Sequence, residues 1–377
     1  MSSQAIQSHE YSGGYIGRIP VRNLWLLMFY ASDLFKHQGA GKIALEDAPD
    51  DIPDLVAEIL IRIVEKRLMH NLSFGYRTKQ ADLSRVRGRI DHFRTERQQL
   101  LLRGRVACQF EELTVNTPRN RYVRAALNVL SGLVNRPVLM HKCRALAGNL
   151  FQMGVTGEKP SRAQVSIDRF GRHDSDDQQM VAAAHLAFEL ALPTEQSGTS
   201  HLTQPEKEIT WLRRLFEKAV AGFYDVVLSA DGWRVSAGKK ISWQITEKTE
   251  GIDRILPSMV TDIQLEHQST SQRVIIDTKF NAIVTSGWYR EETLRSGYLY
   301  QIYTYLRSQE QSCDPLSLSA SGMLLHPSIE KLVDESVVIQ GHQIRFATVD
   351  LSKSTNEIRE RLLQIVRRDD QFLVLAG

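Results

Sequence analysis

Apolar residues recur at helical spacing through the first part of the chain and in short, strand-length runs later on, so the period of the pattern changes before any motif is considered. In "VRNLWLLMFYASDLF" (21–35), Leu24, Leu27, Met28 and Leu34 fall at near-helical intervals and predict a buried helix. "DIPDLVAEILIRIVEKRLMHNL" (51–72) predicts a longer one, with Leu55, Ile59, Leu60 and Ile63 on one face. Residues 85–134 pass from a basic, glycine-broken stretch through the strand-like "RVACQFEEL" into a helix that begins near Thr117 or Pro118. Asn116 or Thr117 is a natural N-cap there, ahead of a proline at the first helical position.

The segment "ALPTEQSGTSHLTQPEKE" (191–208) gathers Pro, Gly, Ser, Thr and charge without periodicity and marks a connection between domains. Beyond it, Leu212, Leu215, Phe216, Ala219 and Val220 define an amphipathic helix over 208–227. Strand-like runs follow at 233–245, 259–267 and 273–280, then a helix at 294–309 and a buried strand at 321–327. The expected fold class is therefore α/β. A mostly helical N-terminal domain with some strand occupies residues 1–200, and an α/β domain with a central sheet flanked by helices occupies 201–377.

Composition narrows the class without naming a function. The 377 residues are 42% hydrophobic and 24% charged, as in ordinary globular proteins, and the net charge of +3 permits an anionic partner without requiring one. Cys108, Cys143 and Cys313 are scattered and odd in number, which suits reduced structural thiols in a cytoplasmic protein. No apolar run approaches the roughly 20 residues that span a bilayer, so no membrane association is expected.

The chemistry concentrates in two neighbouring strands. The short connection "QSTSQ" between "DIQLEH" and "RVIID" predicts an antiparallel pair with Asp262 on one strand and Asp277 and Lys279 on the next. Strand alternation puts Asp277 and Lys279 on one face and Thr278 on the other. "VII" immediately before Asp277 reads as a central strand, where charges seldom occur without a reason. Two carboxylates suit a hard cation such as Mg2+, and a lysine beside them suits a phosphate-bearing transition state. Phosphodiester hydrolysis is the expected chemistry. Glu217 on the amphipathic helix is an additional candidate metal or water ligand, and Gln301 on the tyrosine-rich helix a candidate supporting polar residue.

"LFEKAV", "ILPSMVTDI", "IIDTKF" and "YLYQIYTYL", in this order, resemble the PD-(D/E)xK nuclease core of the McrC family, the endonuclease subunits of McrBC-type modification-dependent restriction systems. "IPVRNLWLLMFYA", "RVRGRIDHFRT" and "FEELTVNTPRNRYVRAAL" are similar to the N-terminal part of the same family. The resemblance implies a restriction-endonuclease-like domain with Asp262, Asp277 and Lys279 at the catalytic positions and Thr278 as the variable residue. One departure is visible: Pro257 lies five residues before Asp262, so the literal Pro-Asp dipeptide is absent.

The same resemblance implies a partner, an McrB-type AAA+ GTPase forming a hexameric ring. That partner would bind the GTP, recognise modified cytosine in double-stranded DNA, and meet this chain through its N-terminal part, which would stimulate GTP hydrolysis. Whether two nuclease domains meet to cut both strands stays open. Neither "KHQGAGKIA" nor "WRVSAGKK" completes a phosphate-binding loop, because the first Gly and the final Ser or Thr are missing from both. The arginine-rich pieces 85–89 and 118–124 read either as phosphate contacts or as a solvated charged face or internal partners of Glu111 and Glu112. His141, His185, His267 and His326 are isolated and carry no expected chemistry. Two other readings stand beside the restriction subunit: an autonomous repair or recombination nuclease of the same fold, and a non-catalytic adaptor of an AAA+ ring.

Overall fold

The computed structural model describes residues 15–16, 19–38, 52–166, 175–198, 205–285, 293–328 and 332–367. The described elements begin with β1 (Tyr15–Ile16), β2 (Ile19–Pro20), α1 (Val21–Tyr30), α2 (Asp33–Gln38) and α3 (Ile52–Met69). It continues through β3 (Gly75–Leu83), β4 (Arg89–Ile90), α4 (His92–Arg97), β5 (Val106–Thr114), α5 (Pro118–Leu133), α6 (Pro137–Gln152), α7 (Arg162–Ser166) and α8 (Ser175–Gly198). Next come α9 (Pro205–Leu228), β6 (Trp233–Ile241), β7 (Met259–His267), β8 (Gln272–Thr278), β9 (Val284–Thr285), β10 (Thr293–Leu294) and α10 (Ser296–Arg307). The last elements are α11 (Pro315–Leu318), β11 (Ser321–Ser328), β12 (Asp334–Ile339), β13 (His342–Asp350) and α12 (Thr355–Arg367).

These elements form two compact units, residues 1–52 with 189–377, and residues 53–188. The division differs from the one expected at residue 200, because α1 and α2 group with the C-terminal half. The reason is a set of long-range contacts that the local pattern does not encode. The fully buried Asn23 donates through Nδ2 to Leu351 O at 2.7 Å and to Lys353 O at 3.0 Å, and the Tyr30 ring packs at a tilt against Phe223 of α9, centroids 4.9 Å apart. The segment 191–208 also departs from expectation. The helix-forming run "MVAAAHLAFELA" carries α8 on to Gly198, and α9 starts at Pro205, a favourable first helical residue. Only 199–204 of that segment lie outside the described residues.

The larger unit is organised on a mixed six-stranded sheet in the order β12-β13-β11-β8-β7-β6. β6, β7 and β8 form an antiparallel meander, β8, β11 and β13 run parallel, and β12 returns antiparallel at the far edge. The parallel step from β8 to β11 uses α10 as its crossover helix. α10 lies so close to β11 that a Cβ on Gly322 would be 2.8 Å from Ile302 Cγ1. Ile275, Ile302, Leu306, Leu324 and Phe346 share the core on this side. Single-helix expectation for 21–35 gives way to two helices at Ser32, whose hydroxyl donates to Phe29 O and accepts from Phe35 N.

The smaller unit combines helices with a three-stranded antiparallel sheet, β3-β5-β4. Thr117 caps α5 by accepting from Asn120 N at 3.2 Å, with Pro118 next, as the sequence predicts. The arginines of 118–124 do not meet Glu111 or Glu112 in the described contacts. Arg119 is buried against the fully buried Asp177 at 2.7 Å, Arg124 donates to Gly157 O, and Glu112 pairs with Lys79. Among the described residues no helix is long and apolar enough to cross a membrane. All three cysteines are free, and burial pushes the Cys143 thiol up to about 11.

Candidate active site

β8 occupies the middle of the sheet, so its residues from Val274 to Thr278 are all buried. The register Ile263↔Ile276 puts Asp262 across from Asp277 at the next step, and on the other side Leu324 pairs with Asp277. The strand ends at Thr278, two residues earlier than the pattern of 273–280 predicts, and the backbone N–H of Lys279 completes the parallel pairing with β11 by donating to Leu325 O at 3.0 Å. The acids and the lysine thus gather at the carboxyl ends of β8 and β11, where open α/β sheets place their ligands.

Lys279 Nζ stands 2.7 Å from Asp277 Oδ2, and both side chains are almost fully buried. Asp262 is held differently. Its Oδ2 accepts from Thr278 N at 2.7 Å and from Thr278 Oγ1 at 2.8 Å. Burial, with the Asp262 charge adding to it, raises the Asp277 carboxyl to about 6 even though the Lys279 ammonium pulls the other way. Glu217, half-buried on α9, is raised for the same reasons: burial first, then the charges of Asp262 and Asp277, with Arg213 opposing. Gln301 donates through Nε2 to the Tyr305 hydroxyl at 2.7 Å, and the Tyr305 hydroxyl is raised by burial and by both aspartates.

The five residues singled out in the sequence therefore belong to one electrostatic neighbourhood: Asp262, Asp277 and Lys279 at its centre, Glu217 on α9 and Gln301 on α10. Three further residues stand with them: two tyrosines to which the sequence assigns no role, and His326, for which it predicts no chemistry. Tyr305 lies one helical turn beyond Gln301 and shares its face, a spacing visible in "QIYTY". Tyr298 covers Lys279 with its ring, and His326 is buried beside it with Nδ1 donating to Asn281 O at 3.0 Å. Burial pulls the His326 imidazole down to about 4, so it stays neutral at physiological pH. No spacing rule marks the last two, since they come from different elements.

A divalent cation fits this donor set. Asp277 Oδ1 is buried and has no hydrogen-bond partner among the described residues, a costly state for a carboxylate oxygen that a cation would relieve. Among the described residues no group of three or more His, Cys, Asp or Glu side chains is arranged to hold a metal, so Glu217 stands beside the aspartates without completing a three-carboxylate cluster. Mg2+ needs only one or two carboxylates, because it keeps several waters.

Fold and site together define an α/β protein with a buried Asp277–Lys279 pair and a partly buried Asp262 at the centre of a mixed sheet. The chain belongs to the family of McrBC 5-methylcytosine restriction system components, whose model matches residues 4–318. It is 22% identical over 358 residues to the type IV methyl-directed restriction enzyme EcoKMcrBC of Escherichia coli (strain K12), a match covering 94% of this chain and 98% of that protein. Two solved structures are similar. One is the refined half-complex from a tetradecameric assembly of Thermococcus gammatolerans McrB AAA+ hexamers with bound McrC, at 13% identity and a TM-score of 0.43, covering 92% of this chain and 76% of that one. The other is the Thermococcus gammatolerans McrBC complex, at 15% identity and a TM-score of 0.31, covering 44% and 50%.

Proposed function

We propose that this chain is the DNA endonuclease subunit of a GTP-dependent restriction complex directed at modified cytosine, a Mg2+-dependent type IV restriction endonuclease of PD-(D/E)xK type. The observation that carries the reading is the buried Lys279–Asp277 pair with Asp262 across the strand, and membership of the restriction-component family supports it. Asp262 and Asp277 would hold Mg2+, which when bound supplies an activated water and neutralises phosphate charge. Lys279 donates to the phosphate oxygen on which negative charge grows, inside a site dry enough for that bond to count. Glu217 accepts a proton or a water hydrogen bond at the rim, and the Gln301–Tyr305 pair lines the opposite side with neutral donors.

An McrB-type AAA+ GTPase ring is the proposed partner, binding GTP and reading the modified base, so that this chain needs no nucleotide site of its own. The N-terminal part, of which residues 53–188 are the separately compact portion, meets that ring and stimulates its hydrolysis. The complex acts on foreign double-stranded DNA in the cytoplasm.

Cleavage of methylated and unmethylated plasmid, with each of partner, GTP and Mg2+ omitted in turn, tests the reading. Cutting only in the complete mixture on methylated DNA is expected. Cutting without the partner would point to an autonomous nuclease, and partner GTPase stimulation without cutting to an adaptor.

A further inference from the structure

A lysine ammonium carries three N–H donors on a flexible stem, so it keeps one direction only if its surroundings impose it. Lys279 is 5% exposed. Asp277 Oδ2 takes one of its donors at 2.7 Å. The Tyr298 ring covers a second direction, with Nζ 5.1 Å from the ring centroid, inside the ~6 Å reach of a cation–π contact. The ring is itself fixed: Asn281 Nδ2 donates to the Tyr298 hydroxyl at 2.6 Å. The backbone carbonyl of Asn281 accepts from His326 Nδ1 at 3.0 Å, and the His326 and Tyr298 rings lie 6.0 Å apart. Leu325, which precedes His326, receives the Lys279 backbone N–H. Asp277 at the end of β8 and Tyr298 in the first turn of α10 thus meet the ammonium group itself, while the end of β11 holds the Lys279 backbone and the Tyr298 ring.

We propose that Tyr298 is a positioning residue for Lys279, its ring set by Asn281 and His326 so that the remaining donor of the ammonium faces the substrate phosphate instead of folding back onto Asp277. This rests on the nuclease reading above. The hydroxyl of Tyr298 serves the ring's placement and the ring face serves the lysine, so the two parts are separable by substitution.

The test is cleavage of methylated plasmid by the full chain with Mg2+, GTP and the AAA+ partner, comparing wild type, Tyr298→Leu and Tyr298→Phe, with Lys279→Ala as the zero. Tyr298→Leu is expected to lower kcat about tenfold, the size of one desolvated cation–π contact, with KM for DNA and the partner's GTPase unchanged. Tyr298→Phe keeps the ring and is expected to recover most of the rate. A second readout needs no cleavage. In the chain labelled at lysine, the Lys279 ε-methylene signal, identified by its loss in Lys279→Arg, should be ring-shifted in wild type and Tyr298→Phe and return to the common position in Tyr298→Leu. Retention of the other lysine signals shows that the Leu variant is folded. A cutting wild type whose Leu variant cuts equally well, or whose Phe variant is as slow as Leu, overturns the proposal alone. A wild type that cuts nothing in the complete mixture overturns the nuclease reading and the proposal with it.

Discussion

Thr278 donates both its backbone N–H and its hydroxyl to one oxygen of Asp262, at 2.7 and 2.8 Å. The position that D-x-K spacing leaves free is thus the one that holds the other aspartate. Thr278 is 2% exposed, and valine matches its shape while lacking the donor. Thr278→Val should therefore lower the stability of the metal-free chain by about 1.5–3 kcal/mol, the worth of a hydrogen bond to a charged group. A lower urea midpoint with an unchanged m-value checks this, and Thr278→Ser should restore most of it.

The raised Asp277 carboxyl makes metal-free stability depend on pH. Because its folded-state value, about 6, lies above the ordinary 3.8, the native state holds a proton that the unfolded chain releases first. The resulting stabilisation is complete below about pH 4 and is lost as pH rises through 6. Two units correspond to a ceiling of about 3 kcal/mol. The melting temperature of wild type minus that of Asp277→Asn, measured in chelator, should fall between pH 4 and 7. Saturating Mg2+ should flatten that fall, since a bound cation favours the carboxylate. A constant difference would contradict the burial of this group.

At the other edge of the sheet, Asp334 on β12 accepts from Arg345 at 2.7 and 3.0 Å and from Arg361 of α12 at 2.9 Å. Burial works against the charged Asp334, yet the two guanidiniums outweigh it and hold its carboxyl below the usual range. Arg345 is 5% exposed, so Asp334→Ala takes from a buried cation the carboxylate it pairs with and should cost about 3–5 kcal/mol. The native pair contributes above the ordinary carboxylate value and is lost as pH falls through the depressed one. The penalty of Asp334→Ala, read from urea midpoints, should accordingly shrink on acidification.

Gly222 lies inside α9, where glycine costs about 1 kcal/mol relative to alanine. A Cβ at that position would sit 2.1 Å from the Tyr30 backbone oxygen, so α1 can lie against α9 only if residue 222 has no side chain. Gly222→Ala should destabilise the chain by about 3 kcal/mol or more. Gly148→Ala on α6, where a Cβ meets nothing within 4 Å, should instead be neutral or gain up to about 1 kcal/mol. Calorimetry on both variants checks the pair.

What could be read from the sequence was local. The β7–β8 pair, with Asp262 facing Asp277, follows from two apolar runs, a short turn and a period of two. The cap of α5 at Thr117 follows from the residues on either side of it. Asn23 bonding to Leu351 across 328 positions does not, and for that reason the placement of α1 with the C-terminal half was hidden. Likewise Lys279 is oriented by Leu325, Tyr298 and Asp277, three residues from three elements, and only Asp277 is near enough in sequence to be paired with it by pattern. β12, β13 and α12 lie beyond the last element the pattern predicts, although "HQIRFATVDL" alternates and "TNEIRERLLQIVR" is amphipathic. Their meaning depends on Arg345 and Arg361 meeting Asp334, which no spacing announces.

The central claim is that Asp277 and Lys279 cut DNA while the rest of the chain works through its partner. Its most direct measurement sets wild type, Asp277→Ala and Lys279→Ala side by side with the AAA+ partner, GTP, Mg2+ and methylated plasmid, reading DNA cleavage and GTP hydrolysis from the same tube. The expected result is cleavage lost in both variants with partner GTPase stimulation retained. Cleavage that survives in either variant would contradict the account.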